Sequence, residues 1–103
     1  VGELTRVTST KDIPSGQAIA VEVRGERIAV FNLNGTFYAI ADTCMHRGGP
    51  LSEGKIEGAT VTCPWHGMQY DIQTGYVVGS TLCLKSYTVV VEGDDLKIES
   101  PTL

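Results

Sequence analysis

A chain of 103 residues with a formal net charge of −4 has room for one domain and a modest core, near the size at which a bound cofactor adds usefully to stability. The acidic balance leaves no basic patch for a phosphate backbone, so nucleic acid is not an expected partner. No apolar run approaches the roughly 20 residues that span a bilayer, and no basic-then-apolar opening suggests a signal peptide. The expectation is a soluble, cytoplasmic protein with no membrane partner, although a leader removed before Val1 would leave no trace.

Taken in order, the chain reads as a series of short strands. Leu4 to Val7 is a short strand, followed by a turn at Ile13-Pro14-Ser15-Gly16. From Gln17 the pattern alternates, with Ile19, Val21 and Val23 on one face and Ala18, Ala20 and Glu22 on the other, the period of a half-buried strand. Arg24-Gly25-Glu26 turns the chain into Arg27 to Leu33, and Asn34-Gly35 turns it again into Thr36 to Ala41. Asn-Gly between two apolar runs is a strong hairpin signal, so the first forty or so residues form a meander.

Further on, Ala59 to Thr62 reads as a strand carrying Cys63 at its end. Met68 to Ile72 is its partner, which places the intervening loop at a hairpin tip. Thr74-Gly75 turns the chain, and Gly79-Ser80-Thr81 makes a third loop able to close over that tip. Tyr87 to Glu92 is rich in β-branched residues, Gly93-Asp94-Asp95 turns, and Leu96 to Glu99 returns toward the first sheet. No stretch of ten residues shows a 3.6-residue apolar period, and turn signals recur as they do in all-β sandwiches and barrels.

The chemistry is concentrated between Cys44 and His66. Cys44 and His46 form a Cys-x-His pair, sixteen residues follow from Arg47 to Thr62, and Cys63 and His66 form a Cys-x-x-His pair. Each pair offers one soft thiolate and one imidazole, and the surroundings are rich in glycine and proline: Gly48, Gly49, Pro50 and Gly54, then Pro64 and Gly67. Glycine lets the backbone turn and approach closely, and proline stiffens it. Two loops therefore face one another across a metal centre with two cysteines and two histidines. Three cysteines suit metal ligation plus one spare thiol better than a disulfide framework. The spare, Cys83, sits among apolar neighbours and reads as an inert buried residue.

Three readings of the four residues stand side by side. A Cys₂His₂ set is a legitimate tetrahedral zinc site, which would make the chain a structural interaction module. The single residue between Cys44 and His46 is tighter than the two to four usual in zinc motifs. A Cys44–Cys63 disulfide with incidental histidines suits secreted chains better than this one. The third reading is an iron–sulfur cluster, for which soft thiolates and imidazoles are proper donors.

With Arg47, Gly48, Gly49, Pro50 and Leu51 trailing the first pair and Pro64, Trp65 and Gly67 framing the second, the pattern resembles the Rieske family of iron–sulfur proteins over nearly the whole chain. The resemblance implies an all-β fold: antiparallel sheets forming a sandwich- or barrel-like base, with a cluster-binding subdomain of loops and a small sheet inserted at about residues 42–78 of a single domain, 1–103. It implies one 2Fe-2S cluster per chain, with Cys44 and Cys63 on one iron and His46 and His66 on the other. Exchanging two thiolates for neutral imidazoles makes reduction easier, which places Rieske centres at about −150 to +300 mV against about −400 mV for plant-type ferredoxins. His46 and His66, at the loop tips, are the expected exit for electrons.

Respiratory relatives brace the site with a disulfide between two further cysteines. Gly49 and Trp65 stand at those positions, so that bridge cannot form in this chain. Met68 replaces a serine that bonds a sulfur in those relatives, whereas Tyr70 matches a tyrosine that does the same. The expected potential lies in the lower half of the range, lifted somewhat by Tyr70. Packing of the Tyr70 ring in the core is the alternative reading of that residue. Trp65 covers the loop or meets a partner, and Arg47 is a solvated charge or a partner contact.

The implied function is that of a Rieske-type ferredoxin, a one-electron carrier rather than an enzyme. A flavin-containing or other reductase is its donor, and a terminal oxygenase or other redox enzyme its acceptor. Rieske oxygenases also need a mononuclear iron held by two histidines and a carboxylate, and this chain has only His46 and His66. An acidic surface suits a basic docking face, with association weakening as salt rises.

Overall fold

The computed structural model describes residues 3–23, 25–42, 50–64, 67–79, 84 and 86–100. Among them the strands are β1 (Glu3–Ser9), β2 (Ala18–Val23), β3 (Glu26–Leu33), β4 (Thr36–Ala41), β5 (Lys55–Glu57), β6 (Thr60–Thr62), β7 (Gln69–Asp71), β8 (Ser86–Glu92) and β9 (Asp95–Ser100). Helical structure among these residues is limited to two 3-10 turns, Thr10–Asp12 and Leu51–Glu53. The all-β expectation holds.

Local chemistry accounts for the hairpins. Asn34 and Gly35 both take positive φ, 56° and 91°, and Leu33 pairs with Thr36 across them. That is the two-residue connection whose twist matches the strands it joins. Buried Asn32 reinforces the corner, since its Oδ1 accepts from Gly35 N–H at 2.7 Å and its Nδ2 donates to the Ile13 carbonyl at 2.7 Å. The preceding turn forms where Pro14 and Gly16 place it, with Gln17 N–H donating to the Pro14 carbonyl. Gly93 opens the last hairpin at φ 63°, between Glu92 and Asp95.

The strands form two antiparallel sheets. One has six strands in the order β1-β9-β8-β4-β3-β2, and the other has three in the order β5-β6-β7. The small sheet lies in sequence between β4 and β8, so the chain leaves the large sheet after Ala41 and rejoins it at Ser86. The last strands do return to the first sheet: β8 pairs with β4, and β9 pairs with both β8 and β1.

Strand β3 shows how one sheet serves two cores. Ile28, Ala29, Val30 and Phe31 are all buried, a continuous apolar run of the kind that marks a strand covered on both faces. Because successive side chains point to opposite faces, Ile28 and Val30 enter one core with Ile13, Val23, Ala39, Leu96 and Ile98. Ala29 and Phe31 enter another with Ile40, Leu51, Val61, Cys63, Tyr70 and Ile72. The alternation read in β2 follows the same division, with Ile19, Val21 and Val23 in the first core and Ala18 against the second. Each fully buried large apolar side chain contributes about 1.5–3 kcal/mol, so the second core holds the small sheet firmly on the large one.

Candidate metal centre

The hairpin of β6 and β7 carries Cys63, the first residue of the Cys-x-x-His pair singled out in the sequence. Thr62 pairs with Gln69, and beyond them Cys63 N–H donates to the Met68 carbonyl at 2.8 Å. Gly67 N–H then donates to the Cys63 carbonyl at 3.0 Å, closing a tight turn. The turn requires glycine, because Gly67 has φ 73° and an added side chain would be strained there whatever the space around it. The backbone of Cys63 is thus tied on both sides, and its side chain is 1% exposed. The hairpin tip expected from the sequence is where the chain places it.

Tyr70 supports the tip from below. It pairs with Val61 across the two strands, is completely buried, and lies in the same core as Cys63. Its hydroxyl donates toward Met68 Sδ at 3.9 Å, a weak contact. Met68 is partly buried and packs on that core. The other site residues singled out in the sequence, Cys44, His46, Gly49, Trp65 and His66, lie outside the described residues, as do Arg47, Cys83 and the Ser80-Thr81 portion of the third loop. Gly79, which opens that loop, has φ 79°.

Three features near the centre escaped sequence reasoning. Strand β5 flanks β6, with Ile56 opposite Val61. Tyr76 to Val78 run back along β7, where Asp71 N–H donates to the Tyr76 carbonyl and Val78 N–H to the Gln69 carbonyl. The third is Asp42, a carboxylate only 1% exposed. Its Oδ1 accepts from Ser52 N–H at 2.7 Å and its Oδ2 from Arg27 Nη2 at 3.1 Å. An acidic residue two places before the first cysteine was the available signal, and nothing in the sequence named its partners.

The described residues fit a soft-metal centre. Cys63 offers a soft sulfur donor, and the backbone bonds to Met68 and Gly67 hold its place at the hairpin tip. Among the described residues nothing lies within 4 Å of where a Cβ on Gly67 would stand.

Comparison with known proteins gives the same answer. Residues 3–91 match the family described as Rieske [2Fe-2S] domain. The 3-phenylpropionate/cinnamic acid dioxygenase ferredoxin subunit of Shigella flexneri serotype 5b (strain 8401) is 41% identical over 93 residues, covering 87% of each chain. Among solved structures, the ferredoxin of Sphingomonas yanoikuyae B1 superposes with a TM-score of 0.86 at 26% identity, over 96% of this chain and all of that one. A chain from the complex of reduced oxygenase and oxidized ferredoxin in carbazole 1,9a-dioxygenase gives a TM-score of 0.85 at 29% identity, over 93% of this chain and 92% of that one. These likenesses support the iron–sulfur reading and lend nothing to the zinc alternative. Fold, hairpin and relatives converge: the chain belongs to the Rieske family, as a ferredoxin-type electron carrier with one 2Fe-2S cluster.

Proposed function

We propose that Cys44, His46, Cys63 and His66 hold the cluster. The observation that carries this is the setting of Cys63, buried at a hairpin tip with its backbone bonded to both Met68 and Gly67. The cluster supplies one-electron chemistry when bound, at a potential that its two imidazole ligands raise above that of all-thiolate centres. The protein's share is to keep Cys63 and its neighbours in one geometry through both oxidation states, and to keep water from the thiolate side. His46 and His66 provide the electron's way out, and residues of about 42–78 act as the cluster-binding subdomain of a single domain. The Tyr70 hydroxyl, directed toward Met68 Sδ in the structure, raises the potential only by turning to a cluster-ligand sulfur instead.

A reductase is the donor, flavin-containing or otherwise, and a terminal oxygenase or another oxidoreductase is the acceptor. The acceptor class is supported by the relative named as a dioxygenase ferredoxin subunit and by the carbazole 1,9a-dioxygenase complex, in which ferredoxin and oxygenase occur together. The cytoplasm is the compartment such partners would occupy, and no helix among the described residues is long and apolar enough to cross a membrane. Association with the reductase weakens as salt rises, as the net charge of −4 leads one to expect.

The test is iron and acid-labile sulfide per chain, with an electron paramagnetic resonance spectrum of the reduced protein. Two irons, two sulfides and a rhombic signal of low average g are expected. Substituting Cys63→Ser or His66→Ala should abolish them. A colourless chain with one zinc would defeat the ligand assignment.

A further inference from the structure

We propose that Asp42 is a positioning residue that sets the first ligand loop against the second. The inference rests on the assignment of Cys44 and His46 as ligands. Asp42 stands two residues before Cys44, and among the described residues it makes four bonds, to Arg27 on one side and to Leu51 and Ser52 on the other. Toward β3, its N–H donates to the Arg27 carbonyl at 3.1 Å and its Oδ2 accepts from Arg27 Nη2 at 3.1 Å. Toward the far end of the loop, its carbonyl accepts from Leu51 N–H at 2.7 Å and its Oδ1 from Ser52 N–H at 2.7 Å. One residue therefore ties the start of the loop to its end and both to the large sheet.

A carboxylate that is 1% exposed is expensive to bury unless it is paired and hydrogen-bonded. An apolar residue here could pack, but it could not specify the directions of a guanidinium and a backbone N–H at once. The second link is Leu51, fully buried in the core that holds Cys63, Val61 and Tyr70. Asp42 fixes Leu51, and Leu51 packs in the core that carries the β6–β7 hairpin. The distance between the two ligand pairs is thus governed through Asp42, although the residue is not itself a ligand.

The experiment compares Asp42→Asn and Asp42→Ala with the unaltered protein. It measures iron and sulfide per chain, the rate of iron release to a chelator, the electron paramagnetic resonance g values of the reduced protein, and thermal unfolding. Asparagine keeps an oxygen for Ser52 N–H but loses the ionic partner of Arg27, and alanine loses both. Partners that orient metal ligands typically change metal affinity by about 10–100-fold. Iron release about that much faster is expected, greater for alanine, together with shifted g values. Release rates and g values that stay unchanged in both variants would overturn the proposal, even if thermal stability fell. Should the alanine variant fail to fold, the asparagine variant decides. If the unaltered protein itself held no iron and sulfide, the ligand assignment would be at fault, and the positioning role would fall with it.

Discussion

Val61 and Tyr70 face one another across β6 and β7, both at 0% exposure, and so place an aromatic hydroxyl inside the core that also contains the Cys63 thiol. Tyr70→Phe keeps the ring and removes only the hydroxyl. If that group donates to a ligand sulfur, the midpoint potential falls. About 1 kcal/mol of hydrogen bonding that favours the reduced state corresponds to about 40 mV for one electron. Protein-film voltammetry of the variant measures it, and an unchanged potential would leave Tyr70 as a packing residue. Tyr70→Ala should also cost about 3–5 kcal/mol of stability by emptying the core.

Gly54 predicts a purely steric effect. A Cβ at this position would lie 2.3 Å from the Thr62 carbonyl oxygen and 2.9 Å from a Val61 methyl. The glycine therefore lets the 3-10 turn at Leu51–Glu53 sit directly on β6. Gly54→Ala should destabilise by about 1–3 kcal/mol, because backbone has to move. Urea denaturation beside Gly58→Ala separates this from simple φ strain, since Gly58 at φ 61° has open space around it.

Asp12 predicts a pH effect. Hydrogen bonds from the Thr8 hydroxyl and then from Ser9 N–H hold its carboxyl below the ordinary value of 3.8. A carboxylate whose pKa is lowered on folding contributes stability that is fully present above its unfolded pKa and is lost as pH falls through its folded pKa. The stability gap between wild type and Asp12→Asn should be constant above about pH 5 and shrink below about pH 4. Urea midpoints across that range give the answer, and a gap independent of pH would remove Asp12 from the acid response.

The two cores predict where loss of the cluster is felt. Cys63 lies in the core shared with the small sheet, while Leu96, Ile98, Ile28 and Val30 lie in the other. After iron and sulfide are removed, amide exchange should quicken in β6 and β7 and stay slow in β9. Equal acceleration throughout would mean that the two cores unfold as one unit.

What was legible in the sequence was written locally. The Asn34-Gly35 corner needs two residues at positive φ, and few residue types supply that. The turns on either side identified a strand from Arg27 to Leu33, and the strands read at Ala59 to Thr62 and Met68 to Ile72 identified a hairpin tip between them. Strand β5 was not legible, because Lys55-Ile56-Glu57 has a single apolar residue and is extended only through its pairing with β6. Asp42 resembled any acidic loop residue. Its partners are 15 positions away at Arg27 and 10 positions away at Ser52, and only the folded chain brings them to it.

The pairing of β1 with β9 has a consequence for how the molecule is made. Among the described residues β1 has its ladder with β9 alone, and Glu3 is matched to Ser100 at the opposite end of the sheet's sequence. Such distant partners slow folding, because closure entropy must be met before the contacts form. During synthesis, the segment between β4 and β8 that forms the small sheet leaves the ribosome before β9, the strand that completes the large sheet. The small sheet is therefore made before the strand that completes the large one, and its packing face waits on an unfinished scaffold until β9 arrives.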